Sequence, residues 1–410
     1  MNVNIVEIIN KKKNGMELSL EELDFSFNGY LNGSIKDYQM SSLLMAICIR
    51  GMSERETFDL VDIFIKSGDV LDLSSIDGVK VDKHSTGGVG DKITLIIGPI
   101  VASCGVIVPK MSGRGLGITG GTIDKLESIK GFKVSLSESE FIKQVSDIGF
   151  AVTSQTSNLC PLDKVIYALR DVTGTTDSIP LIAASIMSKK IAGGADNIFI
   201  DIKCGNGAMM KTIEDANKLK DIMEKIGAFY NRKTICEISD MNTPLGSNIG
   251  NSLEVLEAMD VLKGKKGSLR DLSIKISSEM VSIAKNISMD DAKEEVLDVL
   301  ESGKAYDKFL EFVKYQGGDI NSLEVSKNIQ EIKSTKSGTI KSINALNIGR
   351  LSCSLGAGRE SKEDKIDYTV GIILNKLVGD EVNIDDTLFT LYKKDKSLVK
   401  INLDDYYEIK

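Results

Sequence analysis

The sequence predicts an α/β protein in three parts: a helical region, a longer stretch of alternating strands and helices, and a small β-rich C-terminal domain. Three textures carry the prediction. The first 68 residues repeat a helix-start pattern, and from residue 79 short β-branched runs alternate with helical segments. After about residue 332 short strands follow one another with polar turns between them. At 410 residues the chain has room for roughly two to three domains, and its 42% apolar content supplies a large core.

The helix starts are Ser19 with Glu22, Ser34 with Asp37 and Ser53 with Glu56, each a hydroxyl able to cap free amides with a carboxylate three residues later. Leu43, Leu44, Ile47 and Cys48 recur at helical spacing until Gly51 breaks the run. Residues 67–78, SGDVLDLSSIDG, are polar and turn-rich and read as a connection. Beyond them VKV (79–81), VIV (106–108), IFIDI (198–202) and TICEI (234–238) read as buried strands. Helices are expected between them over 92–104, 138–148, 212–227 and 251–262, an alternation that argues for a sheet with helical cover. Residues 161–192 are helical too, and pattern alone leaves open whether they rejoin the N-terminal helices. In the C-terminal region SGTIKSIN, KIDYTVGIILNKLVGDEVN and TLFTLYKK read as strands, with a hairpin at GDEVNIDDTLF. That hairpin is reminiscent of biotinyl- and lipoyl-type domains but lacks an exposed Met-Lys-Met tip, so a packing module is the better reading.

Composition excludes several classes. The 37 glycines against 5 prolines point to tight turns and close backbone approaches. With 51 basic and 59 acidic side chains the formal charge is −8, which argues against a nucleic-acid or membrane-surface protein. An anion must therefore be held by a local site against the overall field. The six cysteines (Cys48, Cys104, Cys160, Cys204, Cys236, Cys353) are scattered and form no C-x-x-C pair. With a single histidine, this argues against zinc and for buried thiols in a reducing cytosol. The opening MNVNIVEIINKKKNG lacks the plan of a signal peptide, and no apolar run nears the roughly 20 residues of a membrane span. A soluble cytoplasmic protein is expected, with no nucleic-acid or membrane partner.

Two glycine loops carry the chemistry. KHSTGGVGDK (83–92) lies between a predicted strand and a helix, where glycines let backbone amides approach an anion and the helix start adds partial positive charge. Lys83 supplies a full charge, and Ser85 and Thr86 supply hydroxyls. The spacing is neither a Walker A loop nor a G-x-G-x-x-G fingerprint. The second loop, KMSGRGLGITGGTIDKLES (110–128), repeats these ingredients with Lys110, Ser112, Arg114, Thr119 and Thr122 among five glycines. Each alone is explained about as well by a turn. Together, at the ends of strands close in sequence, they argue for one shared anion site. In YALRDVTGTTDSIPLIAASIMSKK (167–190), Ser185 and Lys189 are four apart and share a helix face, with Arg170 upstream; on pattern alone this reads as a solvated basic face.

These segments, together with SDMNTPLGSNIGNSLEVLEA, resemble the thymidine/pyrimidine-nucleoside phosphorylase family, in the family's order and over essentially the whole chain. The resemblance implies reversible phosphorolysis of a pyrimidine nucleoside (uridine, thymidine, deoxyuridine), giving free base and (2-deoxy)ribose 1-phosphate for nucleoside salvage and catabolism. It implies a homodimer, with inorganic phosphate as co-substrate and no organic cofactor. It also implies a discontinuous helical domain (1–68 and 161–192), a phosphate-binding α/β domain (69–160 and 193–331) and a β-rich C-terminal domain (332–410), with substrate between the first two. By similarity Lys83, Ser85, Thr94, Lys110, Ser112 and Thr122 hold phosphate. Leu116, Tyr167, Arg170, Ser185 and Lys189 hold the pyrimidine, and His84, Arg170 and Lys189 are catalytic. Lysine and arginine near the leaving base stabilise the charge it develops, and His84 donates a hydrogen bond or proton to a carbonyl oxygen. Alternation along an extended strand would send Lys83 and Ser85 toward phosphate and His84 toward the base.

Four positions depart from or refine the pattern. Ile118 stands where members commonly carry a second histidine, and Met209 where they have phenylalanine. Broad-specificity members bind a potassium ion at positions corresponding to Gly90, Lys92, Leu245, Asn248 and Glu257. Lys92 replaces their usual threonine, so its ammonium is expected to take the cation position and pair with Glu257. Lys110, in place of methionine, resembles broad-specificity enzymes more than strict thymidine phosphorylases, which remain the alternative. Weaker alternatives are an anthranilate-type phosphoribosyltransferase, a purine or nucleotide phosphorylase, and a non-catalytic binding protein on the same scaffold.

Overall fold

The structure, a computed structural model, describes residues 4–115, 120–155, 158–359 and 364–410. The chain divides into two compact units. One comprises Met1–Ser75, Thr156–Ile200 and Thr212–Glu237; the other comprises Ile76–Gln155, Asp201–Lys211 and Ile238–Lys410.

The first unit is helical. Its segments Ile5–Lys13, Leu20–Leu31, Asp37–Arg50 and Glu54–Lys66 are joined by Pro161–Asp171, Ile179–Ala192 and Ile213–Phe229. Ser19 and Ser53 begin their helices as expected, each in a reciprocal capping box with Glu22 and Glu56. Ser34 does not. The third helix starts at Asp37, where Gln39 accepts from the Lys36 amide, and the Ser34 hydroxyl instead donates to Gly29 O. Leu23, Phe27, Leu43, Leu44, Ile47, Leu60 and Phe64 form the core, with Phe27 and Phe64 edge to face at 5.9 Å. One ion pair is buried among them. Lys12 Nζ lies 2.8 Å from both Glu56 oxygens, which also accept the Leu18 and Ser53 amides, so the pair is hydrogen-bonded on all sides.

The second unit is built on strands β1 (Val81–Ser85), β2 (Val108–Ser112) and β3 (Phe150–Ser154), with the later parts of β4 (Asn197–Cys204) and β5 (Lys233–Asp240). β2 and β3 pair in parallel from Val108–Phe150 to Ser112–Ser154, while β1, β4 and β5 form the order β1-β4-β5. A parallel bridge, Lys80–Ile107, sets β1 beside β2. β1 and β2 are displaced toward the C-terminus of the predicted runs, extending through the polar residues of VDKHS and VPKMS. Both glycine loops therefore leave from the ends of adjacent strands. Helix Ile93–Ser103 is apolar all round and buried. Its Gly98 admits the Phe150 ring, whose Cζ lies only 2.3 Å from where a Cβ would sit. Phe150 in turn packs on Phe312 at 4.4 Å.

Helices Ser268–Lys285, Met289–Glu301 and Lys304–Tyr315 extend the α/β part. The C-terminal strands are Asn328–Lys333, Gly338–Ile343, Gly371–Leu374, Glu381–Val382, Thr387–Lys393 and Tyr407–Ile409. The hairpin expected at GDEVNIDDTLF does not form. Glu381–Val382 pairs with Gly338–Thr339, whereas Thr387–Lys393 pairs with Asn328–Lys333 and Gly371–Leu374. Asp385, at φ 70°, reverses the chain between the two strands, and each joins a different sheet. Asn248–Ile249 pairs with Ile372–Ile373, which knits the C-terminal strands into the second unit. The compact units thus cut the chain differently from the expected boundaries: Thr212–Glu237 lies with the helices, and residues 332–410 lie with the α/β part.

Candidate active site

The two glycine loops of the second unit enclose one cavity of about 160 Å³. Its wall includes His84, Ser85, Gly87, Asp91 and Thr94 from the first loop and the helix after it. Lys110, Ser112, Arg114, Gly115, Gly121 and Thr122 come from the second. Six residues singled out from sequence (His84, Ser85, Thr94, Lys110, Ser112, Thr122) thus meet around one space. They present an ammonium, an imidazole, hydroxyls and glycine backbone beside the start of helix Ile93–Ser103, an arrangement suited to an anion. Leu116 and Ile118 lie outside the described residues.

Two glycines are required here. A Cβ on Gly121 would sit 2.1 Å from Gly115 N, so the ends of the second loop touch through bare backbone. Gly90, at φ 75°, has Leu245 O 2.7 Å from its Cβ position.

Lys83 does not follow the expected alternation. It is absent from the cavity wall, and its side chain is buried with Nζ 3.6 Å from Asp201 Oδ2. His84 and Ser85 instead line the same cavity. Asp201 also holds Lys203 at 2.7 Å, and Ser239 donates to its other oxygen at 2.6 Å. The Ser85 hydroxyl donates to Asp91. Loss of surrounding water disfavours the Asp91 carboxylate, yet the charges of Lys83 and Lys203 outweigh it and hold the group well below the usual carboxylate range. Burial pushes Lys83 down, while Asp201 and Asp91 outweigh burial at Lys203 and push it up. Beneath the first loop, then, lies a compensated array of two lysines and two aspartates. Sequence reading missed Asp91, Asp201 and Lys203; the alternation of Asp201 and Lys203 along β4 was the available signal.

Tyr167, Arg170, Ser185 and Lys189, expected to hold the pyrimidine, lie in the helical unit. Lys189 Nζ is 2.7 Å from Asp163 Oδ2, donates to Ser185 Oγ at 3.0 Å, and stands 6.0 Å from the Tyr167 ring centroid. Arg170 is 2% exposed and gives Nε, Nη1 and Nη2 to the carbonyls of Thr175, Leu181 and Thr176. It therefore fixes the turn between the two helices that carry the cluster, and burial lowers its pKa. Asp163 is the residue sequence reading missed. It shares a helical face with Tyr167 and Arg170 by its spacing of four and seven, and its Oδ1 has no hydrogen-bond partner among the described residues.

Gly90, Lys92, Leu245, Asn248 and Glu257 also come together, but not as a potassium site. Lys92 Nζ lies 2.6 Å from both Glu257 Oε2 and Asn248 O, filling the place between the oxygens that a cation would need. The Ser247 and Asn248 amides and the Ser247 hydroxyl also donate to the carboxylate. Burial works against the Glu257 charge, but Lys92 prevails and holds the carboxyl at about 2. These residues do not fit a bound potassium ion. Among the described residues no group of three or more His, Cys, Asp or Glu could hold a metal.

The chain matches three family models in sequence: the glycosyl transferase family helical bundle domain over residues 6–68, the glycosyl transferase family a/b domain over 77–306, and the pyrimidine nucleoside phosphorylase C-terminal domain over 339–409. It is 50% identical to a pyrimidine-nucleoside phosphorylase of Staphylococcus haemolyticus over 415 residues, covering 99% of this chain and 96% of that one. It is 52% identical to the Bacillus subtilis pyrimidine-nucleoside phosphorylase over 396 residues, covering 95% and 92%. The chain belongs to the pyrimidine-nucleoside phosphorylase family. As a member it is an enzyme of the pentosyltransferase class, with the helical, α/β and C-terminal domains of that family. A crystal structure of anthranilate phosphoribosyltransferase from Thermus thermophilus superposes with a TM-score of 0.59 at 17% identity, covering 75% of this phosphorylase-family chain and 98% of the other. That likeness is one of fold. No described helix is long and apolar enough to cross a membrane.

Proposed function

We propose that this chain cleaves uridine, thymidine and deoxyuridine with inorganic phosphate, reversibly, to free base and (2-deoxy)ribose 1-phosphate. Phosphorolysis of pyrimidine nucleosides goes with the family; acceptance of both sugars and both bases rests on Lys110, the broad-specificity form of the second loop. The observation that carries the reading is the cavity where the two glycine loops meet.

In this reading Ser85, Thr94, Lys110, Ser112 and Thr122 hold phosphate, and Lys83 supports it from behind through the Asp91 and Asp201 array. A phosphate oxygen bonds to C1′ as the bond from C1′ to the base nitrogen breaks, and the electron pair leaves on the base. Tyr167, Ser185 and Lys189 receive the pyrimidine, with Arg170 holding their helices and turning its remaining donors to the ring. Lys189 then faces the negative charge that develops on the base. His84 donates the hydrogen bond or proton that the departing base needs. Lys92 supplies internally the positive charge that a potassium ion would bring, so turnover needs no alkali cation.

Ultraviolet absorbance tests the reading. Thymidine and uridine should release free base only when phosphate is present, and a purine nucleoside should not. No change with any nucleoside at high enzyme concentration would overturn it.

We further propose a cytoplasmic homodimer. Tyr38, Met45 and Ile49 are exposed at 72, 39 and 71% and fall on one face of helix Asp37–Arg50, an apolar strip suited to a second copy. Sedimentation velocity at micromolar concentration should return twice the mass of one chain; a monomer would sink this proposal.

A further inference from the structure

We propose that Arg359, in the C-terminal part of the chain, is a positioning residue of the phosphate cavity, acting through Asp124 and Gly115. This rests on reading that cavity as a phosphate site. Gly115 is part of its wall. The Gly115 amide donates to Asp124 Oδ2 at 2.7 Å, and its carbonyl accepts from Arg359 Nη1 at 3.3 Å. Arg359 Nη2 donates to Asp124 Oδ1 at 2.9 Å. Both polar groups of one loop residue are thus tied to a carboxylate and a guanidinium that are tied to each other.

The ring of bonds matters because of what surrounds it. Asp124 is 1% exposed, so its charge needs a partner that stays in place. Arg114 also reaches Asp124, at 3.4 Å, but its side chain is 47% exposed and bonds Glu127 at 2.6 Å. Arg359 is the closer and better buried cation, at 2.9 Å and 14% side-chain exposure. A second C-terminal residue reinforces the tie: Tyr368 donates to Glu127 Oε2 at 3.1 Å. A glycine-rich loop has unusual backbone freedom, so a pocket made of its amides is useful only if something holds it. Gly121 abuts Gly115 with no room for a Cβ, so movement of Gly115 is passed to Gly121 and to Thr122 on the cavity wall. The planar fork of arginine holds a carboxylate and a carbonyl on separate donors at a fixed angle, whereas an ammonium is a point charge on a flexible stem that fixes their geometry less. The C-terminal segment thereby sets affinity for phosphate while touching neither substrate.

Steady-state kinetics of Arg359→Ala and Arg359→Lys test this, alongside thermal midpoints measured with and without inorganic phosphate. Arg359→Ala should raise KM for phosphate by about tenfold to a hundredfold, with KM for the nucleoside little changed. Arg359→Lys should fall between wild type and Arg359→Ala. Phosphate that raises the wild-type midpoint should raise that of Arg359→Ala less. A phosphate KM within about twofold of wild type in Arg359→Ala would overturn the inference. So would equal loss of stability and of every kinetic constant in both variants, which marks a purely structural contact. If Arg359→Ala does not fold, Arg359→Lys decides by the same readouts. Failure of the wild type to release base with phosphate would strike the proposed reaction instead, leaving phosphate protection of the midpoint as the measure of Arg359.

Discussion

Lys92→Met should destabilise the α/β unit by about 3–5 kcal/mol, because it leaves the Glu257 carboxylate buried without its cation. Chemical denaturation at neutral pH measures it, and a loss below about 1 kcal/mol would refute the internal ion pair. The effect has a definite pH dependence. In the wild type Glu257 titrates at about 2 against a normal 4.5. Its lowered value stabilises the fold above pH 4.5, and that stabilisation is lost as pH falls through about 2. Without Lys92, burial pushes the carboxyl up against only the hydrogen bonds from Ser247 and Asn248, so most of the lowering seen in the wild type is lost. The gap between wild type and variant should therefore be widest above pH 4.5 and narrow toward pH 2. Wild-type turnover should be the same in potassium and in a large organic cation; strict potassium dependence would contradict the geometry around Lys92.

His84→Ala should lower kcat by about 10²- to 10⁴-fold, the range of a lost general acid, with far less effect on phosphate binding. His84 is the chain's only histidine, so no other imidazole can take over the proton. The structure sets His84 on the cavity wall with Ser85. Rate constants for thymidine and uridine at saturating phosphate give the measurement. Full turnover in the variant would remove His84 from the chemistry and leave charge stabilisation at Lys189 as the main contribution.

Much of the molecule was legible because the signals are local. Ser19 and Ser53 cap helices through contacts three residues long, and the helix over 251–262 matches its pattern end to end. The failures were places where distant partners decide, with one exception. Ser34 lost its helix start to Lys36 and Gln39, a competition within a few residues that residue type does not rank. Strand β3, FAVTS, is short and went unread; parallel pairing with β2 and the ring of Phe312 make it a strand. The C-terminal hairpin failed because each half found a different sheet.

The candidate site shows the same division. The sequence by itself determined which residue types stand in the two glycine loops, and that both loops follow strands, because backbone freedom and strand propensity belong to short segments. The expected pairing of Lys92 with Glu257 came from the family resemblance, and the structure forms that pair. Only tertiary structure decided that Lys83 turns inward to Asp201 while His84 and Ser85 share the cavity. Only tertiary structure paired Lys189 with Asp163, and Arg359 with Asp124. Those pairs join residues far apart in the chain, and burial makes each charge choose a partner by distance in space, which spacing along the sequence does not contain.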